Sequence, residues 1–243
     1  MKNLIFLLTF LNLISCKDKN GSLLNNEIKK NKIEVNKIKN VLNKKEVIYS
    51  IIKDTLKIDK SFYFVIQDDP RSEINRNLVI LNDKSDTIYK HDGFASNGFE
   101  FEDFDKDGTL DIRLNQISNT GGLSELIIFD KKTKEFRNVE DFTRFFEPTK
   151  LKKTKLWYSY HRSGCADINW DSDLFYIQNF KAVRIGNISG KGCENEPKNG
   201  IFINKIIGDK KVLIKEIIRE EGYYGDKWEF IEKYWNENFK KFK

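Results

Sequence analysis

The chain has 243 residues, of which 39% are hydrophobic and 33% charged, and its 43 basic and 37 acidic side chains leave a formal net charge of +6. This length buries one good core or two small ones. A balance of mixed sign is a solubility property and gives no reason to expect a nucleic-acid partner.

The N-terminus carries the first signal. Lys2 precedes an apolar run from Leu4 to Leu11, broken only by Thr9. That run is about half the roughly 20 residues needed to span a bilayer, and it fits the central region of a secretory signal. The following Leu13-Ile14-Ser15-Cys16 resembles the lipobox of bacterial lipoproteins. The resemblance implies cleavage before Cys16 and acylation of Cys16, with an ordinary signal peptide as the alternative. Residues 1–15 are then a signal peptide and Cys16 the lipidation site. The expected location is the cell envelope, anchored in the outer membrane and facing either the periplasm or the exterior. Each buried acyl CH₂ contributes about 0.8 kcal/mol to such an anchor.

Residues 16–46 read as a tether. Nine Lys and seven Asn fall between positions 17 and 46, with no aromatic residue. Such a segment buries too little apolar surface to offset its ordering entropy. A weak heptad-like recurrence of Leu24, Ile28, Val35, Ile38 and Leu42 makes a marginal helix the alternative.

From residue 47 to 243 the sequence predicts a single β-rich domain. Aromatic residues are abundant (19 Phe, 9 Tyr and 4 Trp) and favour strands. Strand-like runs occupy 47–52, 61–67, 78–81, 87–89, 99–101, 110–114, 125–129, 136–139, 156–160, 174–177, 182–185, 201–207, 212–218 and 228–234. They are separated by Asp, Asn, Lys and Gly turns, often at spacings of about 8 to 12 residues. The rhythm predicts an all-β fold, an antiparallel sandwich or a propeller-like array of short strands. A short helix is expected at Asp141 to Phe146, stopped by Pro148. Two segments, Phe129 to Phe136 and Tyr234 to Phe239, both read as aromatic hairpins.

One loop carries chemistry. Asp103-Phe104-Asp105-Lys106-Asp107-Gly108-Thr109-Leu110-Asp111 places acids at positions 1, 3, 5 and 9, with glycine at 6. Ca²⁺ takes six to eight hard oxygen ligands at about 2.3–2.6 Å, and alternate side chains meet at one point when the chain curls around it. Gly108 permits the sharp turn. Asp103, Asp105, Asp107 and Asp111, with the carbonyl of Thr109, are the expected calcium ligands. A solvated acidic turn is the alternative. Position 12 is Leu114 where an EF-hand has Glu, and the flanks read as strands. The loop therefore resembles the strand–loop–strand calcium sites of FG-GAP or VCBS-type repeats. A second acidic group, Asp167, Asp171 and Asp173, reads as a polar loop near the disulfide, with a second cation site as the alternative.

Once Cys16 is assigned to lipid, Cys165 and Cys193 remain. An even remainder in an oxidising compartment predicts a disulfide. Closing a loop of about 28 residues contributes roughly 3.5 kcal/mol in the chain-entropy account. A reactive thiol or a metal site is the alternative.

The order of lipoprotein signal, Asn/Lys tether, short strands, acidic loop, Gly121-Gly122 and the strand ending Phe129-Asp130 resembles envelope proteins related to PliI-like periplasmic lysozyme inhibitors. The resemblance implies a β-rich domain with a calcium loop and inhibition of a peptidoglycan hydrolase. It covers about residues 60 to 160. Catalytic constellations do not appear: His91 and His161 are the two histidines, and no G-x-S-x-G, Walker or H-E-x-x-H motif occurs. A His161–Cys165 pair is conceivable, but a disulfide takes that thiol. The expected function is thus binding without catalysis. The partner is a cell-wall hydrolase, or alternatively a glycan or surface ligand; a structural envelope role is the third reading. Trp157, Tyr158, Tyr160 and Trp170 are candidate stacking platforms for a glycan, with core packing as their other use.

Overall fold

In the computed structural model, the described residues are 52–67, 78–91, 96–116, 118–119, 121–194, 196–218 and 227–243. The expectations for the signal peptide, Cys16, the tether and residues 47–51 lie outside them. All described residues fall in the unit Tyr49–Lys243.

Three antiparallel sheets account for the strands. The first is a meander of β1 (Ile52–Ile58), β2 (Ser61–Gln67), β3 (Leu78–Leu81) and β4 (Thr87–His91). The second is a meander of β5 (Ser96–Glu102), β6 (Asp111–Gln116), β7 (Ser124–Asp130) and β8 (Glu135–Asn138). The third contains β9 (Thr149–Lys150), β10 (Trp157–Tyr158), β11 (His161–Gly164), β12 (Asn169–Gln178), β13 (Lys181–Lys191), β14 (Gly200–Ile207) and β15 (Lys210–Ile217). Its order is β15-β14-β13-β12-β10-β9, with β11 also paired to β12. None of the sheets closes into a barrel among the described residues. The fold is all-β and sandwich-like, the first of the two predicted alternatives.

Strand β7 explains the layering. Its sequence, Ser-Glu-Leu-Ile-Ile-Phe-Asp, is buried at every position but the last. Ile127 and Phe129 pack with Leu56, Val65 and Ile80 of the first sheet. Leu126 and Ile128 pack with Trp157, Phe175 and Ala182 of the third. A strand buried on both faces needs a continuous apolar run rather than alternation, and Leu-Ile-Ile-Phe supplies it. The second sheet is therefore the middle layer.

The far face of the third sheet is closed by a helix, α1 (Lys227–Asn238), and a 3₁₀ turn, Phe239–Phe242. This corrects the strand expected at 228–234 and the hairpin expected at Tyr234 to Phe239. Ile231, Tyr234 and Trp235 are buried at helical spacing. They join Trp170, Leu174, Ile188 and Ile203 in one cluster. Trp235 also donates from Nε1 to Ser172 Oγ at 2.8 Å. Aromatic enrichment alone reads as strand, so the three-and-four spacing was the signal that decided. The expected helix near Pro148 is a 3₁₀ turn, Phe142–Arg144.

Candidate metal loop and neighbouring clusters

The acidic loop links β5 to β6 and is fixed from below. Phe104 is 1% exposed. Its ring stacks on Trp157 at 4.0 Å and meets Phe142 edge-on at 5.4 Å. Trp157 Nε1 donates to the carbonyl of Phe104 at 3.1 Å. The second residue of the motif is thus an apolar anchor in the core between the middle and third sheets. The backbone then turns outward through Lys106 (φ 61°) and Gly108 (φ 88°). Both are left-handed, and glycine reaches that region without strain.

Above this anchor the carboxylates gather. One oxygen each of Asp103, Asp105 and Asp111 lies within 4.8 Å of the others. Asp111 is 1% exposed. Its Oδ2 accepts from the Phe104 N–H at 2.8 Å, whereas its Oδ1 is buried without a hydrogen-bond partner. Burial, and then repulsion from Asp105 and Asp107, push the Asp111 carboxyl up to about 8. Burial and the neighbouring Asp107 charge also raise Asp105. A buried carboxylate oxygen without a donor is costly, and a cation among the three would remove that cost. Thr109 is buried beside them, and its N–H donates to Asp107 Oδ1 at 2.7 Å.

Asp107 departs from the expected set. Its Oδ2 lies 3.0 Å from Lys131 Nζ, and the same ammonium donates to the Asp107 carbonyl at 2.9 Å. Partial burial acts to raise the Asp107 carboxyl, but the hydrogen bonds from Lys131 and Thr109 together with the Lys131 charge outweigh it and hold the group low. Lys106 Nζ donates to the Asp103 carbonyl. Two lysines therefore answer part of the repulsion assumed from spacing alone. Leu114, at position 12, is 1% exposed and belongs to the core of the first sandwich.

No protein-family model and no curated protein matches this chain. A solved structure described as that of a Xanthomonas Type IV Secretion System related protein is similar at a TM-score of 0.40 and 15% identity, over 68% of this chain and 85% of that one. No family is identified by a likeness of that size.

The remaining predicted residues fall elsewhere. Cys165 and Cys193 form a disulfide with Cα atoms 6.0 Å apart, which takes the thiol from the His161–Cys165 alternative. Trp157, Tyr160 and Trp170 are 1%, 5% and 0% exposed. They are core residues, so the core-packing alternative is the one realised for them. Tyr158 is half-buried and packs against the cluster that holds Tyr160 and Trp170.

Of the second acidic group, Asp171 and Asp173 lie on strand β12 rather than in a loop, and both accept from Asn187 Nδ2. Asp167 accepts from Tyr160 Oη and from the buried ammonium of Lys227. Asp173 is buried in the third sheet. Asn187 Nδ2 donates to its Oδ1 at 2.9 Å, and Arg184 Nη1 lies 3.6 Å from that oxygen. Burial raises its carboxyl. Asn187 Oδ1 in turn accepts from Asn204 and Lys211.

One cluster had no signal in the sequence. Glu125 is buried at 8% exposure and faces His91, whose Nε2 lies 3.1 Å from its Oε2. Gln116 and Asn138 also donate to this carboxylate. Burial acts to raise Glu125, but the hydrogen bonds led by His91 win and hold it low. The four residues come from β4, β6, β7 and β8, so spacing along the chain could not group them.

Proposed function

We propose that this chain is an exported, calcium-binding β protein of the cell envelope that binds a macromolecular partner. The observation that carries the reading is the convergence of Asp103, Asp105 and Asp111 around a buried carboxylate oxygen without a donor. The Thr109 carbonyl and water would complete the six to eight oxygens calcium takes. An oxygen-only donor set on a curling backbone suits Ca²⁺ better than Mg²⁺, which keeps a stiff octahedron and its waters. In an extracytoplasmic compartment an affinity of about 10⁻⁴–10⁻³ M is sufficient.

Export is supported by the signal-like N-terminus and by the Cys165–Cys193 disulfide, since disulfides persist in oxidising compartments. Acylation of Cys16 would tether the protein to the outer membrane. By its resemblance to PliI-like proteins, the partner is a peptidoglycan hydrolase, and the action is inhibition without catalysis. The test is a lysozyme-inhibition assay with the soluble domain at micromolar concentration, in calcium and in EDTA. Calcium-dependent inhibition is expected. Undiminished lysis at every concentration would remove that partner.

A further inference from the structure

We infer that the cleft beside the acidic loop is a binding site for a carboxylate-bearing ligand of disaccharide or dipeptide size, and that an ion in the loop switches it on. The inference rests in part on calcium occupying the loop. The cleft has a volume of about 490 Å³ and lies where the end of β7 and β8 meets the β12–β13 turn. That volume lies within the usual range for small-molecule sites. Its floor is apolar, from Ile128, Ile177 and Phe180, and its rim carries Asp105, Asp130, Lys132 and Arg137.

Arg137 is already aimed. Its Nη1 lies 3.5 Å from Asp130 Oδ2, and its guanidinium sits 4.0 Å over the Phe180 ring. Five N–H donors in a fixed fork leave several for a ligand carboxylate. The ring that holds Arg137 is itself held. Asn179 and Phe180 both have positive φ, 51° and 58°. For a bulky residue such as Phe this conformation is an outlier that persists when the surroundings enforce it. Here the Glu140 N–H donates to the Phe180 carbonyl at 2.8 Å, and the Ala182 N–H to the Glu140 carbonyl at 2.9 Å. The turn is thereby pinned to the segment that follows β8.

Two links couple cleft to loop. Asp105 belongs to both the acidic trio and the rim. Lys131, which holds Asp107 of the loop, is the immediate neighbour of Lys132 on the rim. Without an ion the rim carries two acids and two bases and is neutral. An ion shared by Asp103, Asp105 and Asp111 adds two positive charges beside the rim, which offset Asp105 there and leave Asp130 against Lys132 and Arg137, so the rim attracts an anion. Linkage is reciprocal, so the carboxylate must tighten calcium by the same factor that calcium tightens the carboxylate.

The test is calorimetric titration of the soluble domain with digalacturonate and, separately, with the dipeptide Ala-Glu, each in saturating calcium and in EDTA. Binding of either ligand, about tenfold or more tighter in calcium, is expected; the ligand that binds distinguishes an acidic sugar from an acidic peptide. Arg137→Ala and Lys132→Ala should each weaken it about tenfold, the scale of one charge-assisted hydrogen bond. Both variants should keep the calcium-dependent rise in melting temperature, which shows that they fold and that the loop still fills. Absence of binding by both ligands in calcium overturns the inference, as does equal binding in calcium and EDTA. Calcium titrated without a carboxylate reports on the loop separately, so failure of the ion site and failure of the cleft are told apart.

Discussion

Asp111 is the residue on which the candidate site turns. It begins β6 and is almost fully buried, with one oxygen held by the Phe104 N–H and the other without a donor. Asp111→Asn should therefore abolish the calcium-dependent rise in melting temperature. In EDTA the variant should melt no lower than the parent, because a carboxyl pushed up to about 8 is already largely protonated near neutral pH and the amide is its uncharged counterpart. Scanning calorimetry in both conditions checks this. Asp105→Ala should lose the calcium response as well, whereas Asp107→Ala should keep more of it, since Asp107 is turned toward Lys131. The gathering of the Asp103, Asp105 and Asp111 carboxylates was legible in the spacing, because alternate positions on a curled strand converge. The pairing of Asp107 with Lys131 was not legible, because the two are 24 residues apart.

A different pair sets a pH dependence at the same scale. The Lys227 ammonium is 7% exposed and rests on Asp167. Partial burial acts to raise the Asp167 carboxyl, but hydrogen bonds from Lys227 and Tyr160 hold it below its ordinary value. A carboxyl depressed in the folded state stabilises above its unfolded value of about 4 and loses that contribution as pH falls through the depressed value. Asp167→Asn strands a buried ammonium and should cost about 3–5 kcal/mol at pH 7. Urea melts at pH 7 and pH 3 should show the deficit shrinking at the lower value; a deficit of equal size at both would remove the ion pair as its cause.

At the scale of elements, packing decided what local pattern could not. β2 and β3 were legible to the residue, because their apolar runs end at clear turn signals. β1 was missed from residue 53 onward: only Leu56 and Ile58 are buried, and Lys53, Asp54, Thr55 and Lys57 face solvent. Helix α1 was misread because four aromatic residues in nine suggest a strand until their burial is seen to follow a helical period. Within the third sheet a glycine makes room for the tryptophan paired opposite it. A Cβ on Gly190 would lie 2.3 Å from the Trp170 indole. Gly190→Ala should thus force Trp170 to shift and cost about 1–3 kcal/mol, the usual scale of overpacking, measurable by denaturant melts. An unchanged midpoint would show that the indole has room to move.

Across the whole molecule, one strand, β7, joins two cores, and the acidic loop hangs from the second of them through Phe104 and Trp157. Ion binding in the loop should therefore be felt as stability of the domain rather than as ordering of a loose end. The disulfide ties Cys165, in the 3₁₀ turn Cys165–Asp167, to the loop after β13. Replacing both cysteines by serine should cost roughly 3.5 kcal/mol. Outside the described residues, Cys16→Ala should release the protein from membranes in fractionation, and retention would argue against acylation. The central claim is that the loop holds calcium, and titration of Ca²⁺ into the EDTA-stripped domain, followed by its melting temperature, tests it most directly. One ion per chain and, at about 100 times the dissociation constant, a rise of about 5–10 °C are expected. No heat of binding and an unmoved melting temperature at about 100 mM calcium, 100 times the weakest affinity proposed, would contradict it.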